Sequence, residues 1–232
     1  MAELRVIRIE QVAFRFAPRP WAFAETRRAE IKGHFEKLQR DKPGLWNGRV
    51  LLMHQHALEG SFLKGAFLET DYASFLAWRD WDFPDAGVRN CFGLGAIRSQ
   101  DGAFILGVMA PHTANAGRIY FPGGTPDQDD IVGETVDLEG NVVREVTEET
   151  GLAPEELIIE PGWHAVFAGP RIAMIKLMQA NETAQALRAR ILAYLGSGAE
   201  PELCDILIVR GKADLHPNMP DFIPAFLARM WR

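Results

Sequence analysis

Hydrophobic and polar residues alternate in short runs along most of the chain, and this pattern predicts strands interspersed with helices. The segment LRVIRIEQVAFRF (4–16) alternates with period two, as a half-buried strand does. Apolar residues recur at helical spacing in AETRRAEIKGHFEKLQR (24–40) and ETAQALRARILAYL (182–195). GLGAIR (93–98) has too few glycines for a dinucleotide-binding loop and is predicted to be a strand. Such a mixture favours helices packed on a sheet.

The pattern changes near DFPDAGVRN (82–90), a segment rich in turn-forming residues. Residues 1–87 are predicted to form a small α+β unit, in which Glu59 and Gly60 make a hairpin turn and Asp71 caps a short helix. Residues 88–232 are richer in predicted strands, and we expect them to form a second, larger domain.

Composition and charge are those of an ordinary globular domain. Of the 232 residues, 47% are hydrophobic and 24% are charged, and the formal net charge is −6. Since no block of like charge is present, we expect neither nucleic acid nor a membrane as a partner. The sequence contains no signal peptide and no long apolar run, which predicts a cytoplasmic protein. Cys91 and Cys204 match no metal or disulfide spacing, and both are expected to be buried thiols.

Three glutamates cluster in the segment REVTEETGL (144–152). A helix turns by about 100° per residue, so Glu145, Glu148 and Glu149 would share one face, beside a stripe of valines that would face a sheet. We expect Asp137 to cap this helix and Gly151 to end it.

Clustered carboxylates near a core are costly unless a counter-charge neutralises them. Mg²⁺ or Mn²⁺ would do so, because both prefer oxygen ligands and commonly bridge to phosphate. Arg144, one turn before Glu148, is expected to orient that glutamate. The alternative interpretation is a solvated acidic helix face, which is common on protein surfaces.

A double glycine lies upstream of this helix, at the end of GRIYFPGG (117–124), where a backbone carbonyl can approach an ion closely. With PGG before it and REVTEETGL after it, the segment resembles the box motif of Nudix hydrolases. The second half of that motif is matched at every fixed position, by Arg144, Glu145, Val146, Glu148, Glu149, Gly151 and Leu152. The resemblance implies a Nudix-type α/β/α sandwich with a mixed sheet, to which residues 1–87 add their α+β unit.

The first half of the motif is spaced differently from the family pattern. Nine residues separate Gly124 from Glu134, and nine more separate Glu134 from Arg144; both intervals are longer than in the family. Counting back from Arg144, the family's glutamate position holds Val136. We therefore expect an enlarged polar loop, TPDQDDIVGET (125–135), before an intact helix. Glu134 is the candidate to replace the missing acid.

The resemblance also implies roles for individual residues. Glu145, Glu148, Glu149 and the Gly123 carbonyl would be ligands of Mg²⁺ or Mn²⁺, and Glu148, Glu145 and Arg144 would form the catalytic set. The general base would be Glu148 or an acid between residues 200 and 205, and the sequence leaves that choice open. Water would attack a phosphorus of a nucleoside diphosphate linked to a group X. The products would be a nucleoside monophosphate and phosphorylated X.

The N-terminal unit bears on the substrate. PGLWNGRVLLM (43–53) and YASFLAWR (72–79) resemble the extension of Nudix proteins that hydrolyse UDP-glucose, which implies a nucleotide sugar. This unit is expected to add substrate contacts or a dimer surface, so a homodimer is one expected assembly. Two alternatives stay open. Long box insertions also occur in coenzyme A diphosphatases of the family, and the altered first half of the box would also suit a non-catalytic module that senses nucleotides or binds a partner.

Three residues outside the helix are candidate substrate contacts. Arg118 and Arg171 are expected to bind phosphate, and Tyr120 to stack on a base. A structural role is the alternative for each of the three. His54 and His56 share one predicted strand face, but no third ligand lies nearby, so we interpret them as ordinary histidines.

Overall fold

The computed structural model describes residues 4–198 and 200–231, and two β-sheets organise them. The main sheet has eight strands and the second sheet has five. The strands of the main sheet are β1 (Arg5–Ile9), β5 (Asn90–Arg98), β6 (Phe104–Met109), β7 (Ile119–Tyr120), β10 (Leu157–Ile159), β11 (Trp163–Ala168), β12 (Arg171–Ala180) and β13 (Leu203–Val209).

The order of the main sheet is β1-β11-β12-β5-β6-β13, with β10 also paired to β12 and β7 to β6. Strands β12 and β5 are parallel, whereas the other pairs of this sheet are antiparallel. The sheet is therefore mixed, as predicted.

Helices cover both faces of the main sheet. Alternate residues of β12 enter two different cores: Ile172 and Met174 face one, and Ala173 and Ile175 face the other. The first core includes apolar residues of α4 (Leu138–Thr150) and α5 (Ala184–Leu195), and the second includes those of α6 (Phe222–Met230). The predicted α/β/α sandwich with a mixed sheet is confirmed.

The second sheet belongs mainly to the N-terminal part of the chain. Its strands are β2 (Gln11–Phe16), β3 (Arg49–Glu59), β4 (Phe62–Asp71), β8 (Ile131–Val132) and β9 (Thr135–Val136), in the order β3-β4-β2-β9-β8. Three helices pack on it around the buried Trp78: α1 (Ala22–Thr26), α2 (Arg28–Asp41) and α3 (Tyr72–Asp80). The predicted hairpin and cap are present, since the Asp71 carboxylate accepts a hydrogen bond from Ser74 N at 2.9 Å. His54 is hydrogen bonded to the Ala17 carbonyl at 3.1 Å, an ordinary structural contact.

The two parts of the chain exchange strands. The sequence predicted one strand over 4–16, but the structure has two, and β1 pairs with β11 of the main sheet whereas β2 pairs with β4 of the second. The segment 125–135, predicted to be an enlarged polar loop, has more regular structure than expected. This segment contains a 3-10 turn at Gln128–Asp130 and the β8–β9 hairpin, which pairs with β2. Strands of two residues are too short for a sequence pattern to reveal. The domain boundary at 87/88 stays a prediction.

The two cysteines differ in exposure. Cys91 is buried, as predicted, but Cys204 is exposed, so that prediction was wrong. Strand β13 lies at the edge of the main sheet, and its register shifts between Leu203 and Asp205, which turns Cys204 outward. Among the helices of the described residues, none is long and apolar enough to cross a bilayer.

Candidate functional site

Helix α4 carries the three glutamates, and local signals set both of its ends. The Asp137 carboxylate accepts a hydrogen bond from Gly140 N at 3.0 Å, and Gly151 ends the helix with a φ of 70°. Val142 and Val146 are 0% and 1% exposed. The predicted caps and the buried valine stripe are confirmed.

Two glycines in β5 let this helix lie unusually close to the sheet. A Cβ atom at Gly93 would lie 2.3 Å from a methyl group of Val142, and one at Gly95 would lie 2.3 Å from a methyl group of Val146. Both distances are far below van der Waals contact, so these positions require glycine. The strand at 93–98 was predicted, but this reason for its glycines was not.

The double-glycine turn runs alongside the same strand. The carbonyls of Pro122 and Gly124 accept hydrogen bonds from Gly95 N and Gly93 N, at 2.8 and 3.1 Å. Gly123, between them, has a φ of 145°, and a Cβ there would lie 2.2 Å from the Gly93 carbonyl oxygen. The turn thus places a backbone segment directly beside the acidic end of α4.

The three glutamates have different surroundings. Glu149 is only 6% exposed, and the backbone of Gly123 nearby partly opposes the rise of its pKa. The Glu149 Oε2 atom is buried and has no hydrogen-bond partner among the described residues. The side chain of Glu145 is 19% exposed, and its carboxylate lies against Gly124. The side chain of Glu148 is 61% exposed. The acids therefore run from buried to exposed across one helix face.

Burial shifts the pKa values of the two inner acids upward. It raises the pKa of Glu145 to about 7, where Arg144 opposes the rise and Glu148 and Glu202 add to it. Burial, together with the charges of Glu145 and Glu202, raises the pKa of Glu149 well above its ordinary value. Burial therefore disfavours the charged forms of both inner acids, and the neighbouring glutamates disfavour them further.

Glu202 is the acid that the C-terminal part of the chain brings to this group. It lines the same cavity as Glu145, and its charge raises the pKa of both inner glutamates. It comes from the stretch 200–205 that the sequence singled out. In the same stretch Asp205 pairs with Arg188 at 2.8 Å instead.

Arg144 is the cation at the centre of the acidic group. Its Nη1 atom lies 3.1 Å from Glu145 and 3.5 Å from Glu148, and its Nη2 atom lies 3.1 Å from Asp130. The expected pairing of Arg144 with Glu148 is present. Because the guanidinium contacts several carboxylates at once, it fixes their spacing on the helix face.

Asp130, and not Glu134, is the acid that the enlarged box loop places against the helix. Asp130 is 4% exposed, and its carboxylate accepts hydrogen bonds from Asn141 Nδ2 and Asp127 N, both at 2.9 Å. Glu134 lies exposed in the β8–β9 turn, and its backbone carbonyl accepts a hydrogen bond from Phe16 N. The Glu134 side chain forms no hydrogen bond or ion pair among the described residues, and its replacing the missing acid stays a prediction. Sequence reasoning missed Asp130, although the capping pattern of the DQDD run was a usable signal.

The three predicted substrate contacts, Arg118, Arg171 and Tyr120, line one cavity of about 860 Å³ together with Glu145 and Glu202. Arg118 is exposed, and its guanidinium has no hydrogen-bond or ion-pair partner in the part of the chain that the structure describes. Arg171 pairs with Asp221 at 3.1 Å. Tyr120 accepts a hydrogen bond from Asn115, and burial raises its pKa above the ordinary value.

The donor set fits a hard divalent cation. Within residues 4–198 and 200–231, no three His, Cys, Asp or Glu side chains converge closely enough to enclose an ion. Mg²⁺ does not need a complete protein cage, because it keeps several waters and takes one or two carboxylates. The Glu149 Oε2 atom has no hydrogen-bond partner among the described residues, and burial raises the pKa values of Glu145 and Glu149, so a bound cation would stabilise their charged forms.

Comparison with known proteins gives partial overlaps. No protein-family model and no curated protein matches the chain. Among solved structures, a Nudix hydrolase from M. smegmatis, RenU, is 19% identical, with 61% of this chain and 81% of that chain covered and a TM-score of 0.37. The MutT protein from Methanosarcina mazei Go1 is 19% identical, with 62% and 94% covered and a TM-score of 0.41. A C. elegans Ap4A hydrolase is 21% identical, with 39% and 66% covered and a TM-score of 0.30.

Proposed function

We propose that the protein is a Nudix-type hydrolase that depends on a divalent metal and cleaves the diphosphate of a nucleoside diphosphate linked to a second group. One observation carries this proposal. The buried acids Glu145 and Glu149, together with Glu202, lie beside the glycine turn at the edge of a large cavity that also contains arginines, and the Glu149 Oε2 atom there has no hydrogen-bond partner among the described residues.

The ligands of the metal would be Glu145, Glu148, Glu149 and the Gly123 carbonyl. When bound, Mg²⁺ or Mn²⁺ neutralises charge on the diphosphate and makes water more acidic. Arg144 keeps Glu145 and Glu148 at a fixed spacing, and Asp130 holds Arg144 from the other side. In this arrangement Arg144 is a positioning residue, because its contacts are to acids of the protein.

The proton of the attacking water would pass to Glu202 or to Glu148. Glu202 lines the cavity and forms no ion pair among the residues that the structure describes. Glu148 is exposed but is paired with Arg144 at 3.5 Å. The oxygen of water forms a new bond to one phosphorus, the bridging P–O bond breaks, and the electron pair of that bond leaves with the other phosphate. A nucleoside monophosphate and a phosphorylated second group result.

A nucleotide sugar is the proposed substrate class. The resemblance of residues 43–53 and 72–79 to the extension of UDP-glucose-hydrolysing Nudix proteins supports it. The cavity of about 860 Å³ lies within the usual range for small-molecule sites. Arg118 and Arg171 at the cavity surface suit a diphosphate, since one guanidinium group can donate two parallel hydrogen bonds to phosphate oxygens.

A non-catalytic module and a coenzyme A diphosphatase are the rivals. The altered first half of the box favours the module. Against it, burying the Glu149 Oε2 atom without a hydrogen-bond partner costs free energy, and a module that binds no metal gains nothing from that burial. No residue of the cavity distinguishes coenzyme A by its chemistry, so that rival is left to experiment.

A hydrolysis panel with Mg²⁺, read by mass spectrometry, tests the proposal. It contains UDP-glucose, other nucleotide sugars, ADP-ribose, NADH, coenzyme A and nucleoside triphosphates, with the Glu148→Gln variant as the blank. We expect selective, Mg²⁺-dependent cleavage of a nucleotide sugar. If no diphosphate is cleaved and calorimetry detects no Mg²⁺ binding even with nucleotide present, the proposed function is wrong.

A further inference from the structure

The N-terminal unit forms part of the cavity that contains Glu145 and Glu202. Its contributions come from the region after α2, from the start of β3 and from α3. The residues are Lys42, Val50, Tyr72, Phe75, Arg79 and Asp80. A cavity built by two units of a protein is a common place for a small-molecule site.

A continuous series of hydrogen bonds joins this unit to Tyr120, which lines the same cavity as Glu145 and Glu202. His34 Nε2 lies 2.9 Å from Asp80, and Asp80 accepts from Arg79 Nε at 2.8 Å. Arg79 Nη1 donates to Asn115 at 3.2 Å, and Asn115 Nδ2 donates to the Tyr120 hydroxyl at 3.0 Å. Every link of the series is a side chain, so the cavity wall on this side has fixed donors and acceptors.

Tyr72 is a second connection between the unit and the acids. It is half-buried at the start of α3 and lines the cavity. Burial raises its pKa, and the charges of Arg79 and Glu202 also act on it. The hydroxyl of Tyr72 therefore lies within electrostatic range of residues from both parts of the chain.

The walls of the cavity differ in chemistry. The N-terminal wall presents a guanidinium, a carboxylate and a phenol, from Arg79, Asp80 and Tyr72. Together these donate and accept, as recognition of neighbouring hydroxyl groups requires. The wall near α6 contains the aromatic rings of Phe92 and Phe222, with centroids 5.3 Å apart, beside the ion pair of Arg171 and Asp221. A flat base suits that second wall better than a sugar does.

We propose that the N-terminal unit recognises the hydroxylated group attached to the nucleoside diphosphate, with Arg79 and Tyr72 as specificity-determining residues. This inference rests on the proposed function and adds to it an assignment of which part of the chain selects the second group. The base lies toward Phe92 and Phe222, and the sugar lies toward α3.

Two substrates that share a diphosphate separate recognition of the second group from a general effect on catalysis. One is UDP-glucose, and the other is the methyl ester of UDP, which has no sugar at the second phosphate. Arg79→Gln and Tyr72→Phe should each lower kcat/KM for UDP-glucose by about 10-fold or more, the cost of a lost hydrogen bond to a charged or buried polar group. For the methyl ester the change should stay within about 2-fold.

Arg28→Gln is the matched control. The Arg28 side chain forms an ion pair, at 3.2 Å, with Asp71, which caps the helix α3 that carries Tyr72 and Arg79. Arg28 does not line the cavity. It should leave both substrates unaffected. Thermal unfolding of each variant checks the fold, and Arg79→Lys, which keeps the charge but not the forked donor, replaces Arg79→Gln if that variant does not fold. Equal losses on both substrates, or no loss on either, would overturn the assignment.

Binding isotherms with Ca²⁺ in place of Mg²⁺ keep this inference separate from the hydrolysis proposal. Wild-type protein that binds UDP-glucose more tightly than the methyl ester, loses that preference in Arg79→Gln and cleaves neither would disprove hydrolysis and support the assignment. Cleavage of both substrates by wild-type protein, without selective loss in the variants, would support hydrolysis and disprove the assignment. Absence of both binding and cleavage overturns both.

Discussion

Helix α4 and the box loop before it (125–137) are adjacent in the chain but are held in place by different forces. The helix is held by local caps and by valines against the glycines of β5. The loop is held by Asp130, whose carboxylate binds Asn141 and Arg144, and by pairing of β9 with the distant β2. The helix therefore determines the positions of the acids, whereas the loop supplies the contacts that hold Arg144 among them.

The largest expected effect is at the exposed glutamate of the helix. Glu148→Gln removes a ligand charge without changing side-chain shape, so we expect kcat to fall by about 10²–10³-fold or more with the fold intact. Glu134→Gln, an exposed glutamate of the loop, is the matched control and should retain activity. The measurement is steady-state hydrolysis with Mg²⁺, with far-UV circular dichroism as the check on folding. Full activity in Glu148→Gln would show that the site assignment is wrong.

The next largest effect is expected at Asp130, in the loop before helix α4. Asp130→Asn keeps the shape of the side chain but weakens its bonds to Arg144 and Asn141. We expect kcat/KM to fall by about 10–100-fold through misplaced acids, and the free energy of unfolding to fall by about 1–3 kcal/mol. Apparent Mg²⁺ affinity should weaken as well, which destabilisation alone would not cause. If Glu134→Gln and Asp130→Asn behave alike, the loop does not act through Asp130.

Substitution of a glycine in β5 tests how helix α4 packs on the sheet. The Cβ atom added by Gly95→Ala would lie 2.3 Å from a methyl group of Val146, so the helix must shift. We expect the free energy of unfolding to fall by about 1–3 kcal/mol, measured by urea denaturation. Adding Val146→Ala should recover part of that loss, because it removes the clashing methyl groups. Purely additive losses in the double variant would mean that the close approach is not the cause.

The smallest expected effect is a pH dependence of stability. Folding raises the pKa of Glu145 from 4.5 to about 7, so the folded protein binds the extra proton. Without metal, the free energy of unfolding contributed by this group is fully present below pH 4.5 and is lost as pH rises through about 7. His54, His56 and His164 have lowered pKa values and contribute with the opposite sign.

The comparison that tests this group is wild-type protein against Glu145→Gln in chelator. The histidine contributions are the same in both and cancel, whereas Glu149, whose pKa the charge of Glu145 helps to raise, changes along with it. Wild-type protein should lose stability relative to the variant as pH increases across this window. Adding Mg²⁺ should remove much of the difference. A difference that does not change with pH would mean that the Glu145 pKa is not raised in the folded protein.

Local signals account for what the sequence predicted well. The α4 caps, the Glu59–Gly60 turn and the Asp71 cap each depend on residues a few positions apart, and all three are present. The α/β/α layers and the acid from 200–205 were also anticipated.

Long-range contacts account for what the sequence did not predict. Nothing local separates β1 from β2, because both alternate with period two, and only pairing with distant strands assigns them to different sheets. Asp130 was missed for the same reason, since its value lies in contacts with Asn141 and Arg144 on the next element. Cys204 was misjudged because exposure on an edge strand depends on a bulge that no sequence pattern reveals.

The exchange of strands has a consequence for synthesis of the chain. Ile9 pairs with Trp163 and Arg5 with Phe167, so β1 leaves the ribosome long before its partner exists. Until β11 emerges, β1 has no partner strand in the main sheet, whereas the second sheet can already assemble in part. The main sheet therefore closes late, in a step that joins the two ends of a long stretch of chain, and the acidic site is completed only after most of the protein has been made.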